Sequence, residues 1–405
     1  MHWNPKNVTA CGLFAGLLGL SLIGCGSEEE FAVFPLPFPT PTSSTTPTSF
    51  EFLVVPNSKA TPGSVSVRQV DLASGTTAEL PGSPVQVASN SLENDPTMVV
   101  FSADQRFAYV PNANSNLISA FSLDRANSRL VAVPGSPFAS GVNPTCSVAI
   151  HPNGRFLFCG GGDQVTTFSI ATDTGALTPV PDSSRFIGSK GFIAPNPSLL
   201  TNNGQFLYIP GGDDGIYGFS VNAANGLLTQ IPLGSQHGTV EAIALHPNGQ
   251  QLCAPVRSLV PARTEVLPTV QTTDVVRSLT IQGDGTLTRS FDEPIAFTPC
   301  GVTFSQAGRL YVGSRGSSGV FGFNVNGTTG AFSALNQGQG FPAGTVDSCF
   351  PVVDPSDQFL YVSALGDNQV FGFRIGSEGN LTSVPGSPFG NVLGPAVPAV
   401  ARFTR

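Results

Sequence analysis

An all-β architecture of repeated four-stranded units is predicted for this chain by three observations. Gly and Pro supply 46 and 35 of its 405 residues, and both interrupt helices. Charged residues make up 11% against 40% hydrophobic, a balance too apolar for a disordered chain, so a large core is expected. From residue 51 onward, paired apolar runs separated by turns recur with a period of roughly 50 residues; one such sheet cannot bury both its faces alone, but a ring of them can. Together these predict a seven-bladed β-propeller of four-stranded antiparallel blades, closed by the C-terminal strand completing the first blade.

The N-terminus is read separately. Residues 1–25, MHWNPKNVTACGLFAGLLGLSLIGC, carry one Lys and an apolar run from Cys11 to Ile23. That run is shorter than the ~20 residues a membrane-spanning helix needs, so it reads as an export signal. Leu22-Ile23-Gly24-Cys25 resembles the lipobox of bacterial lipoproteins. The resemblance implies diacylation of Cys25, which becomes the first residue of the mature chain, and an address in the bacterial cell envelope. Each buried acyl CH₂ contributes about 0.8 kcal/mol, and two or more chains anchor stably. By the same resemblance Gly26 favours the outer membrane of a Gram-negative cell. The segment that follows, FAVFPLPFPTPTSSTTPTSF, has no strand or helix period and reads as an extended Pro/Thr/Ser-rich tether. The expected division is a signal peptide over 1–24, a tether over 25–50 and the propeller over 51–405.

Within the propeller, hairpins are predicted over SVAIHPNGRFLFC (147–159), SLLTNNGQFLYI (198–209), AIALHPNGQQLC (242–253) and GVTFSQAGRLYV (301–312), where a turn such as Pro-Asn-Gly separates two apolar runs. A third strand ends in patterns such as AFSLD, TFSIA, GFSVN and GFRIG. A fourth opens on a turn Gly, as in GALTPVP and GNLTSVP, and often closes on Pro-Gly-Ser-Pro. Second-strand markers fall at Tyr109, Phe158, Tyr208, Cys253, Tyr311 and Tyr361. Blades are placed near residues 51, 98, 147, 198, 242, 301 and 350. The first lacks an initial hairpin strand and the chain ends on the lone strand of AVPAVARFTR, so the ring is expected to close there.

These repeats, with LYV strand ends, the turn Gly and PGSPF, resemble the seven-bladed lactonase-like family that includes 6-phosphogluconolactonases and carboxymuconate-lactonizing enzymes. In a four-stranded blade, the start of the innermost strand and the loop between strands two and three share a face. Counting five back from the hairpin-turn residues gives a ring of strand-start positions: Thr97, Cys146, Asn196, Glu241, Cys300 and Cys349. The resemblance places His at Cys146, Arg at Glu241 and at Cys300, and Glu where Arg257 stands. Lactone hydrolysis needs a base and cations for an anionic substrate and its oxyanion. Here the family's base position is Cys146 and its Arg/Glu pair is inverted.

The leading expectation is therefore a non-catalytic binding or scaffold module that uses the channel mouth for a protein, glycan or small-molecule ligand. Its candidate binding residues are Glu241, Arg257, Arg263, Asn196 and Thr97. The alternative is a lactonase-like hydrolase or isomerase of sugar lactones with a rearranged site of His237, Glu241 and Arg257. The loop from Ala254 to Val276 is longer than its counterparts and is a candidate binding element. His151 and His246 belong to His-Pro-Asn-Gly turns on the opposite face. Asp163, Asp213, Asp214 and Asp367 fit turn chemistry, and neither a metal nor a cofactor is expected. In an oxidising compartment, Cys146 with Cys159 and Cys300 with Cys349 are candidate disulfides, the first across one hairpin and the second between the last two blades. A net charge of −8 offers no phosphate-neutralising surface, which argues against nucleic acid.

Overall fold

The computed structural model describes residues 49–404 except 88–95, 146, 188–196, 234–237, 258–273, 316, 318, 345 and 346. The signal, Cys25 and the tether up to residue 48 lie outside the described residues. One compact unit spans Ser49–Arg405. Its strands form antiparallel four-strand paths, which we number as blades 1 to 7. In blade 2 the path is Val100–Phe101, Phe107–Asn112, Leu117–Asp124 and Arg129–Ala132. The hairpin turn comes from a polar residue at its head that accepts turn N–H groups. Ser102 Oγ takes the Phe107 N–H at 3.0 Å, His151 Nδ1 the Asn153 N–H at 3.1 Å and Asp354 Oδ1 the Gln358 N–H at 2.8 Å.

Pro-Gly-Ser-Pro also has a defined task. Its serine accepts a third-strand N–H in three blades: Ser83 from Val67 at 2.9 Å, Ser136 from Ala120 at 2.9 Å and Ser387 from Gly372 at 3.0 Å. The strand groups that would otherwise be left open at this point are thereby satisfied.

Closure follows the expected route. Ala399–Thr404 pairs antiparallel with Ser49–Asn57, setting Leu53 opposite Val400, and so supplies the strand that blade 1 lacks. Among the described residues, seven apolar clusters each straddle one seam between neighbouring blades. The seam between blades 7 and 1 is packed like the rest, with Leu53, Val55 and Val70 against Phe359, Tyr361 and Val370. Successive side chains point to opposite faces, so continuously buried second strands such as Phe107–Asn112, Phe156–Gly161 and Phe359–Ala364 give each such blade two apolar faces, and the ring gives each face a partner.

A polar tie is repeated over these seams. The hydroxyl of a second-strand Tyr reaches the carbonyl of the turn Gly of the next blade: Tyr109 to Gly175 at 2.9 Å, Tyr208 to Gly285 at 2.7 Å, Tyr311 to Gly379 at 2.9 Å and Tyr361 to Gly75 at 2.8 Å. Burial pushes these phenols well above their ordinary ionisation range, so they stay donors. Where the marker is Phe158, the neighbouring Thr167 donates instead, to Gly226 at 3.0 Å. Glycine is required at the receiving turn: Gly75 sits at φ +77°, and a Cβ there would come within 2.4 Å of the Phe359 ring.

Candidate active site at the channel mouth

Thr239–Val240 pairs with the end of Gln251–Arg257, setting Thr239 opposite Arg257. Val240 also exchanges backbone hydrogen bonds with Gly212 of blade 4 at 2.8 and 2.9 Å, and Thr239 Oγ1 donates to Asp213 Oδ1 at 2.6 Å. Glu241 thus follows a segment pinned to two blades. Its Oε1 accepts a short hydrogen bond from Arg257 Nη2, and its Oε2 lies 3.4 Å from Arg315 Nη2. The Glu241 side chain is 17% exposed and that of Arg315 46%, so the cluster opens outward through Arg315. Within this three-residue cluster two guanidiniums face one carboxylate, leaving formal positive charge there. The Arg257 Nε–H is buried and finds no acceptor among the described residues. An unfilled buried donor beside excess positive charge suits an incoming anion or carbonyl oxygen.

Arg315 escaped the sequence reading, although a signal for it was present. It lies four residues past the marker Tyr311, as Arg257 lies four past the marker Cys253. The same strand end in adjacent blades therefore carries the same guanidinium, and the ring brings both onto Glu241.

Cys300 and Cys349 are joined by a disulfide, with Cα atoms 5.4 Å apart. It links the inner strands Thr298–Phe304 of blade 6 and Ser348–Val353 of blade 7, and both cysteines are buried. The blades approach closely there: a Cβ on Gly301 would lie 2.0 Å from the Cys349 carbonyl oxygen. The position where the family resemblance implies a cation is thus structural in this chain.

The other candidates divide into two groups. Thr97 is buried and donates to the Pro111 carbonyl at 3.3 Å, which makes it part of the scaffold and not of the charged cluster. His237, Asn196, Arg263, Cys146 and most of the 254–276 loop lie outside the described residues. Cys159 pairs with Val148, so the hairpin register is offset from the one that would set it directly opposite Cys146. The turn centres between Asn153 and Gly154, and Gly154 takes the positive φ there. His151 bonds within its turn and lies 3.2 Å from the Gly204 carbonyl, and burial lowers its pKa. Asp213 and Asp214 take the hydroxyls of Thr239 and Tyr217, each at 2.6 Å.

A cavity of about 130 Å³ is lined by Ala242, Ile243, Gly301, Val302, Phe350 and Val397, with prolines and Thr303 beside them.

Residues 61–191, which cover the outer strands of blade 1 and blades 2 and 3, match the family model Lactonase, 7-bladed beta-propeller. No curated protein matches the chain. Among solved structures it is similar to a candidate 6-phosphogluconolactonase from Bacteroides fragilis, at 19% identity and TM-score 0.68 over 88% of this chain and 99% of that one. A candidate 6-phosphogluconolactonase from Bacteroides uniformis gives 16% identity and TM-score 0.68 over 87% and 99%. The periplasmic gluconolactonase of Pseudomonas aeruginosa gives 17% and 0.66 over 87% and 99%. The chain is thus a seven-bladed β-propeller whose residues 61–191 match the lactonase propeller family.

Proposed function

We propose that this protein is a lactonase-like hydrolase working at the mouth formed by blades 5 and 6. The observation that carries the reading is the convergence of Glu241, Arg257 and Arg315, with a buried N–H on Arg257 that has no acceptor among the described residues. The 3.4 Å contact to Arg315 is the looser of the two ties on Glu241, and a substrate oxygen that takes over Arg315 frees the Oε2 edge. In that arrangement Glu241 accepts a proton from water as the water oxygen bonds to the lactone carbonyl carbon. The guanidiniums hold the resulting oxyanion. The ring C–O bond then breaks, the departing alkoxide takes the proton back, and a hydroxy acid leaves. This inverts the leading expectation from sequence, which gave weight to the lost family positions; the family match favours the enzymatic alternative.

The test is hydrolysis of a lactone panel by the wild type and by Glu241→Gln. Removing a general base should cost roughly 10²- to 10⁴-fold in kcat. Turnover unchanged in the variant overturns the mechanism. A binding-module reading has its own support, since Cys300 is committed to a disulfide; it is selected if the wild type binds hydroxy acids without turning over any lactone. The envelope setting expected from Leu22–Cys25 belongs to the same proposal, and an unmodified thiol at Cys25 would remove it.

A further inference from the structure

We infer that the ligand of this mouth carries an apolar tail, so that its class is an alkyl- or aryl-substituted lactone or carboxylate rather than a polyhydroxylated sugar lactone. The inference rests on the proposed site and adds what lies beneath it. Ala242, Gly301 and Phe350 line the axial cavity, and each comes directly after a strand-start position, Glu241, Cys300 and Cys349 respectively. Along one inner strand the well directly follows the charged Glu241, and along the other two it follows the Cys300–Cys349 disulfide. Among the described residues that line the well, Thr303 supplies the only polar side chain.

A sugar lactone presents a hydroxyl on nearly every carbon. Placed in this well, those hydroxyls would lose water and meet Thr303 as the one polar side chain among the described lining residues, which is unfavourable for each group left without a partner. An alkyl or phenyl group loses nothing by leaving water. An apolar cavity of about 150 Å³ stays dry and admits benzene, so the ~130 Å³ available here suits a phenyl ring or a chain of about five carbons. Head and tail are then matched separately, the anionic or carbonyl oxygens by Arg257 and Arg315, the tail by Ile243, Val302 and Val397.

The test uses the full chain and a series of plain carboxylates, acetate, butanoate, hexanoate and octanoate, with gluconate as the polar comparison, followed by calorimetry. Affinity should rise roughly fourfold per added methylene and level off once the well is filled, near hexanoate. Gluconate should bind no better than acetate. A flat series, or gluconate binding more tightly than hexanoate, overturns the inference. The series needs no variant, so misfolding cannot obscure it; Ala242→Leu, which narrows the well, should move the plateau to a shorter chain. The two readings fail separately. A rising series with no lactone turned over removes the hydrolase and keeps the well, whereas turnover of gluconolactone with a flat series removes the well and keeps the hydrolase.

Discussion

Two glutamates, at opposite rims of the ring, meet opposite fates. Glu241 at the mouth is partly exposed, hydrogen-bonded to Arg257 and near Arg315. Glu51, in the second strand of blade 1, is fully buried at the closing seam. Arg402, opposite it on the C-terminal strand, approaches only to 3.7 Å, neither carboxyl oxygen finds a hydrogen-bond donor among the described residues, and Asp354 from the blade 7 turn faces it. Burial first and Asp354 second push its pKa up to about 8. A carboxylate is kept ionised by cations and solvent, and is neutralised by burial beside another carboxylate. At the seam, Glu51 holds a proton.

The largest effect that sharpens this contrast is on stability against pH. Glu51 loses its proton near pH 4.5 when the chain is unfolded and near 8 when it is folded. Between those values the folded state holds the extra proton, so the contribution to stability is complete below pH 4.5 and falls away as pH rises toward 8. The change is at most about 5 kcal/mol over that window. Glu51→Gln should flatten the profile and raise the melting temperature at pH 8. A wild-type profile that is level between pH 5 and 8 would break the comparison.

Next is the covalent clasp at the mouth, for which the closing seam has no counterpart among the described residues. The Cys300–Cys349 bond spans 49 residues, and on the chain-entropy account its loss should cost about 4 kcal/mol. Cys300→Ala with Cys349→Ala, followed by denaturant unfolding, measures it. A cost near zero would mean that the close packing at Gly301 already holds blades 6 and 7 together.

The smallest effect concerns the polar tie at the closing seam. Tyr361→Phe leaves the Gly75 carbonyl without its hydroxyl donor and should cost about 1 kcal/mol. The same change at Tyr109 should cost a similar amount, since its tie to Gly175 has the same form. A much larger loss at Tyr361 would show that closure is the weak seam of the ring.

The repeat was legible because a propeller writes its geometry into the chain once per blade. Apolar alternation, a turn Gly that must adopt positive φ, and a polar turn head recur at like offsets, and each has a local cause. The unpaired strand at each end of the domain already announced the closure. The site was only half legible. Glu241 and Arg257 stood out because they depart from a family pattern, whereas Arg315 matched nothing except the offset of Arg257 and was overlooked. Thr97 looked available in the sequence and is buried.

The chain alone determined the number of blades, their strand order and the way the ring shuts, since these follow from periodicities and turns that involve neighbours in sequence. Only the tertiary structure decided which charges meet. Whether a carboxylate faces two guanidiniums, as Glu241 does, or another acid in a dry seam, as Glu51 does, depends on side chains from different blades. Their electrostatics are set by the distance and burial that ring closure imposes.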